Sequence, residues 1–157
     1  MSESAIRQKI FETIAGQTGL IDSSHASATL GMVHKYERYS ADWNKFIALF
    51  KDPVTSRIFG WEIRRASMPA EKLSNMEQQN THIYQIKGYL AVQDSDQTEL
   101  LFNSKIEELC ALFRGNHTLD ETCLDAGAIS VDVIEERTFG SVLCHYAELR
   151  MPVAEIV

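Results

Sequence analysis

The sequence predicts an α+β fold, with a mainly antiparallel sheet of about four to five strands packed by two to three helices. Three observations carry this. Residues 82–92 alternate in the period of a half-buried strand, with Tyr84, Ile86, Leu90 and Val92 on one face and Gln85 and Lys87 on the other. Two stretches have a single apolar stripe at helical spacing, as a helix lying on a sheet requires. Two β-rich stretches, residues 128–137 and 141–153, flank a turn around Gly140.

The elements follow in order. Ser2 is placed to cap a first helix with apolar Ile6, Ile10, Phe11 and Ile14, and Gly16 to end it. Residues 17–30, rich in Ser, Thr, Ala and Gly, read as an exposed mobile loop. A short strand through Met32, His34 and Tyr36 comes next. Ser40 then caps a helix in which Trp43, Phe46, Ile47 and Phe50 share one face, and Asp52-Pro53 stops it. Residues 57–65 alternate again, with Phe59, Trp61 and Ile63 opposite Glu62 and Arg64.

Residues 67–81 lack periodicity and read as a long exposed hairpin connection. Gly88 in the following strand leaves room for a neighbouring side chain. Asp96 and Glu99 form the pattern of a capping box. The helix it starts carries Phe102, Ile106, Leu109, Cys110 and Phe113 on its stripe, opposite Lys105, Glu107 and Glu108, and stops at Gly115. In the last third, Ile129, Val131 and Val133 alternate with Ser130 and Asp132, and the partner strand runs through Leu143, His145, Ala147, Leu149 and Met151.

At 157 residues the chain reads as one domain spanning residues 1–157. It is 45% apolar and 24% charged, which suits a globular protein rather than a disordered one. No apolar run approaches the roughly 18 residues of a membrane helix, so no membrane partner is expected. The opening MSESAIRQKIFETI mixes charge with helical spacing and does not read as a signal peptide, so synthesis in the cytoplasm is expected. Three widely spaced cysteines, Cys110, Cys123 and Cys144, argue for reduced thiols rather than a disulfide framework. The formal net charge of −7 argues against gripping nucleic acid through its phosphates, though DNA could pass without being held.

Motifs that carry chemistry are sparse. His82, Cys144 and His145 are the first place to look for a metal. Adjacent strand residues point to opposite faces, however, so Cys144 and His145 do not chelate one ion, and His145 reads as a hydrogen-bonded core histidine. His25, His34 and His117 fall in loops or at an edge without zinc spacing. No nucleophile elbow and no phosphate-cradling glycine loop is present. Cys110 sits on a core stripe, and the paired carboxylates (Glu107-Glu108, Glu135-Glu136, Asp94 with Asp96) occupy solvated faces. The sequence therefore offers no catalytic, metal or cofactor-binding residues, and no enzyme is expected. The candidate subunit-interface residues are Arg57, Glu62, Arg64 and Arg65, because Arg forms bidentate pairs with a neighbour's carboxylates. The competing reading is a solvated strand whose arginines pair with nearby Glu.

Four strings resemble a known family. They are Tyr36-Glu37-Arg38-Tyr39 with Asp42-Trp43, Gly60-Trp61-Glu62-Ile63, Tyr84-Gln85-Ile86-Lys87-Gly88-Tyr89, and the run from Arg137 through Phe139, Gly140 and His145 to Leu149. They are similar to small proteins of bacteriophage and prophage tail-morphogenesis regions, and the order of elements resembles the tail terminator (tail completion) proteins of long-tailed phages or related head–tail joining minor tail proteins of the neck. The resemblance covers most of the chain outside residues 17–29. It implies a structural protein that closes into a ring, typically a hexamer, caps the tail tube and joins it to the head connector. The partners implied are further copies of the chain, the tail tube protein and the head connector protein. The implied location is the virion tail, after synthesis in the bacterial cytoplasm. An acidic subunit suits a channel along which DNA slides. The alternative is a small-ligand-binding module or small enzyme with a pocket between sheet and helices, lined by Trp43, Trp61 and Tyr84.

Overall fold

The structure is a computed structural model and describes residues 2–157. Among these residues the chain forms three α-helices and eight strands in one mixed sheet. The class is the α+β expected, but the sheet has eight strands rather than four to five. The additional strands come from the two stretches read as loops and from a short strand near residue 125.

The first helix, α1 (Glu3–Ala15), is built as the spacing predicts. Ser2 accepts a hydrogen bond from the Ala5 amide at 3.2 Å, and Gly16 ends the helix at φ 76, where a Cβ would be strained. Ile6, Ile10, Phe11 and Ile14 are buried. The stretch after it contains β1 (Ser24–Ser27), antiparallel to β2 (Gly31–His34). The turn between them is held by Ser27, whose hydroxyl accepts from the Leu30 amide at 3.2 Å. Small polar residues hide this strand from hydropathy, because main-chain pairing needs no apolar side chain. The second strand stops at His34, short of Tyr36.

Helix α2 (Trp43–Leu49) starts two residues later than expected. Asp42 caps it, accepting from the Asn44 amide at 2.9 Å, while Ser40 bonds the Asp42 amide. It ends at Phe50, ahead of Asp52-Pro53, and buried Asp52 holds the next turn through the Val54 amide and Thr55 hydroxyl. Strand β3 (Phe59–Ser67) runs parallel to β2 and antiparallel to β5 (Gln78–Ala91). Most of residues 67–81 is paired, not looped: β4 (Ala70–Lys72) lies against the start of β5. Both faces of this arm meet solvent, so its sequence shows no alternation.

A short 3-10 turn (Asp94–Asp96) precedes α3 (Thr98–Leu112), and the expected capping box does not form. Asp96 lies in the 3-10 turn and binds Arg57, Glu99 bonds the Asn103 amide group, and Gln97 at φ 55 starts the helix without a side-chain cap. The helix ends at Leu112, three residues before the left-handed turn at Gly115. Then come β6 (Asp125–Ala126), β7 (Ser130–Phe139) and β8 (Val142–Ile156). Gly140, at φ 63, makes the β7–β8 turn directly under Trp43; a Cβ there would sit 3.0 Å from the Trp43 Cβ.

The sheet order is β1-β2-β3-β5-β8, with β6 and β7 both along the far side of β8. Its inner face is covered by α1 and α3. Trp61, Ile63, Tyr84, Ile86, Ala147, Leu149, Met151 and Val153 are all fully buried there. Gly88 makes the room expected of it, since a Cβ would lie 2.2 Å from the Trp61 ring. Trp61 in turn stacks on Phe102 and donates its indole N–H to the Leu30 carbonyl at 2.9 Å. The outer face carries a smaller cluster, in which Phe46, Ile47 and Phe50 of the α2 segment pack on Tyr89, Cys144 and Tyr146. Among the described residues, no helix is long and apolar enough to cross a membrane.

Candidate functional site

The four residues proposed for a subunit interface do not gather into one patch. Arg57 precedes β3 and pairs with Asp96 at 2.7 Å, both half exposed. Arg64 lies on the outer face, 3.7 Å from Glu37. Arg65 lies on the inner face toward the far end of β3, with a guanidinium nitrogen 3.4 Å from His82 Nδ1. Glu62 is not on a solvated face at all. It is 2% exposed, because α2 and the segment before it fold across the strand.

Glu62 is the centre of a hydrogen-bonded network on the outer face. Its Oε1 accepts from the Tyr89 hydroxyl at 2.8 Å and its Oε2 from the Arg38 amide at 3.1 Å. Glu37 beside it accepts from Lys87 at 2.6 Å and from the Tyr39 hydroxyl. One strand further, Glu148 accepts from the Tyr146 hydroxyl at 2.5 Å and from Gln85 at 3.1 Å. The Arg137 guanidinium lies over the Tyr146 ring, 4.1 Å from its centre.

The two central carboxylates shift in opposite directions. Burial raises the Glu62 pKa, with the Arg38 amide and Tyr89 hydroxyl only partly opposing it. Burial also opposes ionisation of Glu37, but Lys87, Tyr39 and Arg64 outweigh it and hold that carboxyl below the usual range. Desolvation pushes both Tyr89 and Tyr146 upward, so both phenols stay protonated and donate. Each of these carboxylates is already engaged by donors. The arrangement acts as a strut that ties residues 36–42 to the sheet. All four strings that carry the family resemblance contribute to it.

The histidines are structural in placement. His145 is 6% exposed, stacks on Phe102 and lies 2.9 Å from the Thr98 hydroxyl. Cys144 points to the opposite face, as strand geometry requires, and burial pushes its thiol up to about 11. His82 sits at the other end of β5, 2.9 Å from Glu155. His34 is buried rather than at an edge, and its Nε2 donates to the Leu49 carbonyl at 2.6 Å, clamping the end of α2 to β2. Among the described residues, no three His, Cys, Asp or Glu side chains converge as metal ligands would.

Trp43, Trp61 and Tyr84 do not line a common pocket. Trp61 and Tyr84 are fully buried on the inner face, whereas Trp43 is half exposed on the outer side, against Phe46 and Phe139. The concavity lies elsewhere. A cleft of about 440 Å³ opens where β3 begins and β5 ends. Phe59 and Leu90 line its apolar part with Val54 and Leu101, and Arg57 and Lys105 are among its charged groups. Sequence reasoning missed it because its walls come from four separate segments. The structure leaves apolar residues exposed at several places: Val54 and Leu101 at the cleft, Met68, Leu73 and Met76 on the β4–β5 arm, and Val131 and Ile134 on β7. No protein-family model matches the chain, and no curated protein matches it.

Proposed function

We propose that the chain is a structural subunit of a phage or prophage tail that associates with copies of itself into a ring, a hexamer by the resemblance, at the end of the tail tube. There it joins the tail to the head connector. The observation that carries the reading is the outer edge of β7. This strand has ten residues, and among the described residues its ladder is made with β8 alone. Val131 is 39% and Ile134 56% exposed on it. A long edge is a template for pairing with another chain, and the bulge between Val131 and Val133 and the charged Asp132, Glu135, Glu136 and Arg137 limit that pairing to part of its length.

Three features support the reading. The resemblance strings converge on one strut, so the likeness concerns how the fold is held. The network around Glu62 spends its carboxylates on tying elements together. The net charge of −7 suits a wall along which DNA slides without sticking. The test is multi-angle light scattering at high concentration, alone and with the tail tube protein, followed by negative-stain imaging of any large species. A closed ring with one symmetry is expected. A chain that stays monomeric under both conditions and binds nothing overturns the reading.

A further inference from the structure

Strand β1 lies outside the family resemblance, and it carries a side-chain arrangement that the ring reading does not use. Ser24 on β1 stands directly across from His34 on β2, so both side chains leave the same face of the sheet. That is the outer face, where the His34 ring meets Phe50 edge-on. Ser24 Oγ is 2.7 Å from His34 Nδ1. His34 Nε2 is 2.6 Å from the Leu49 carbonyl oxygen, which can only accept, so the ring proton sits on Nε2.

Burial lowers the pKa of His34, which is 1% exposed; the bond to Leu49 opposes this only in part, and the Arg38 charge adds to it. The imidazole is therefore neutral at neutral pH, and Nδ1 turns a free lone pair toward the Ser24 hydroxyl. The Arg38 guanidinium completes the group, with one nitrogen 3.2 Å from Ser24 Oγ and 3.3 Å from His34 Nδ1. Ser24 is only partly covered, at the free edge of the sheet, so a small molecule can approach it from solvent. A hydroxyl bonded to a neutral imidazole, an imidazole oriented by a fixed acceptor, and a cation beside the oxygen are the parts of an activated serine.

We infer that Ser24 is a nucleophile toward short carboxylic esters, with His34 as its general base and Arg38 stabilising the charge that develops. The Ser24 oxygen attacks the ester carbonyl carbon while His34 Nδ1 takes the hydroxyl proton. The carbonyl oxygen gathers negative charge beside Arg38. The tetrahedral species collapses, the bond to the leaving alkoxide breaks, and His34 returns the proton to it as an alcohol. Water then attacks the acylated Ser24 with the same base, releasing the carboxylic acid and restoring the hydroxyl. Arg38, which lies over the Tyr36 ring, borders the hydroxyl, so the approach is polar and suits a short acyl group. The site sits at the opposite end of the sheet from β7, and the activity does not depend on the ring reading.

The experiment treats the folded chain with a fluorophosphonate probe and, separately, with p-nitrophenyl acetate, and maps the modified residue by peptide mass spectrometry. A Ser24 adduct is expected in the unmodified chain and no adduct on that peptide in Ser24→Ala or after unfolding in urea. His34→Gln, which keeps a donor for Leu49 but no base, should slow labelling roughly a hundredfold. In the unmodified chain the labelling rate should rise with pH below the usual histidine value and be flat above it, because His34 loses its proton there. This profile needs no variant, so it decides the matter even where His34→Gln fails to fold. A folded chain without a Ser24 adduct, equal labelling in folded His34→Gln, or a rate that keeps climbing through the alkaline range overturns the assignment.

Discussion

The two faces of the sheet are written by alternate residues of the same strands, yet they are held by different physics. On the inner face Trp61, Ile63, Ile86 and Leu149 are fully buried against α1 and α3, and what matters is filled volume. On the outer face Glu62, Lys87, Tyr89 and Tyr146 occupy the intervening positions, and what matters is that each donor keeps its acceptor. The inner face should punish lost volume and the outer face lost partners.

Trp61→Ala tests the first half of that contrast and should have the largest effect, about 4 kcal/mol lost in urea unfolding. It removes the ring that stacks on Phe102 and fills the space over Gly88. Glu62→Ala tests the second half. It orphans the Tyr89 hydroxyl and the Arg38 amide and should cost about 2 kcal/mol, while Glu62→Gln, which keeps the shape and an acceptor, should cost clearly less. Equal losses for Ala and Gln would mean that the outer face needs the carboxylate itself and not merely an acceptor of the same shape.

The pH dependence sharpens the same comparison. The folded-state pKa of Glu62 lies above its unfolded value, so on acidification the folded chain takes up this proton first. Its contribution therefore grows as pH falls from neutral toward the ordinary carboxylate value, and is lost as pH rises through the folded value. Glu37 runs the other way. Its contribution is full above the ordinary value and is lost as pH falls through its lowered one. Unfolding free energies at several pH values should show the Glu62→Gln variant losing the first slope and keeping the second.

Smaller effects belong to residues outside both faces. Asp42→Ala removes the cap of α2 and should cost about 1 kcal/mol, read by thermal melts. Arg57→Ala breaks only a half-exposed pair and should stay within about 0.5 kcal/mol in the isolated chain. If it costs more, the pair with Asp96 is doing more than surface geometry allows.

The sequence reveals the inner face well. The stripe of α1, its Ser2 and Gly16 ends, the alternation around Ile86 and the space at Gly88 are all local patterns that burial writes directly into residue order. The outer face is harder to read, because Glu62, Lys87 and Tyr89 look like a solvated strand until α2 is known to cross them. Solvent on both sides of the β4–β5 arm erased the alternation that reveals strands elsewhere. The caps moved for a similar reason: Ser40 and Asp42 both suit the start of α2, and only the packing of Trp43 against Phe139 selects the later one. The cleft was not legible, since residues from Ser27 to Lys105 meet there only through tertiary contact.

The placement of β8 has a bearing on how the molecule is made. This strand lies between β5 and β7, pairing with β5 from Gln79↔Ile156 to Ala91↔Cys144, yet it leaves the ribosome after every element it touches. Until it emerges, one whole side of β5 is an unsatisfied hydrogen-bonding ladder, and the inner-face core lacks Ala147, Leu149, Met151 and Val153. Closure of the sheet thus waits for β8, and until then the exposed edge of β5 is open to the chaperones that shield such edges.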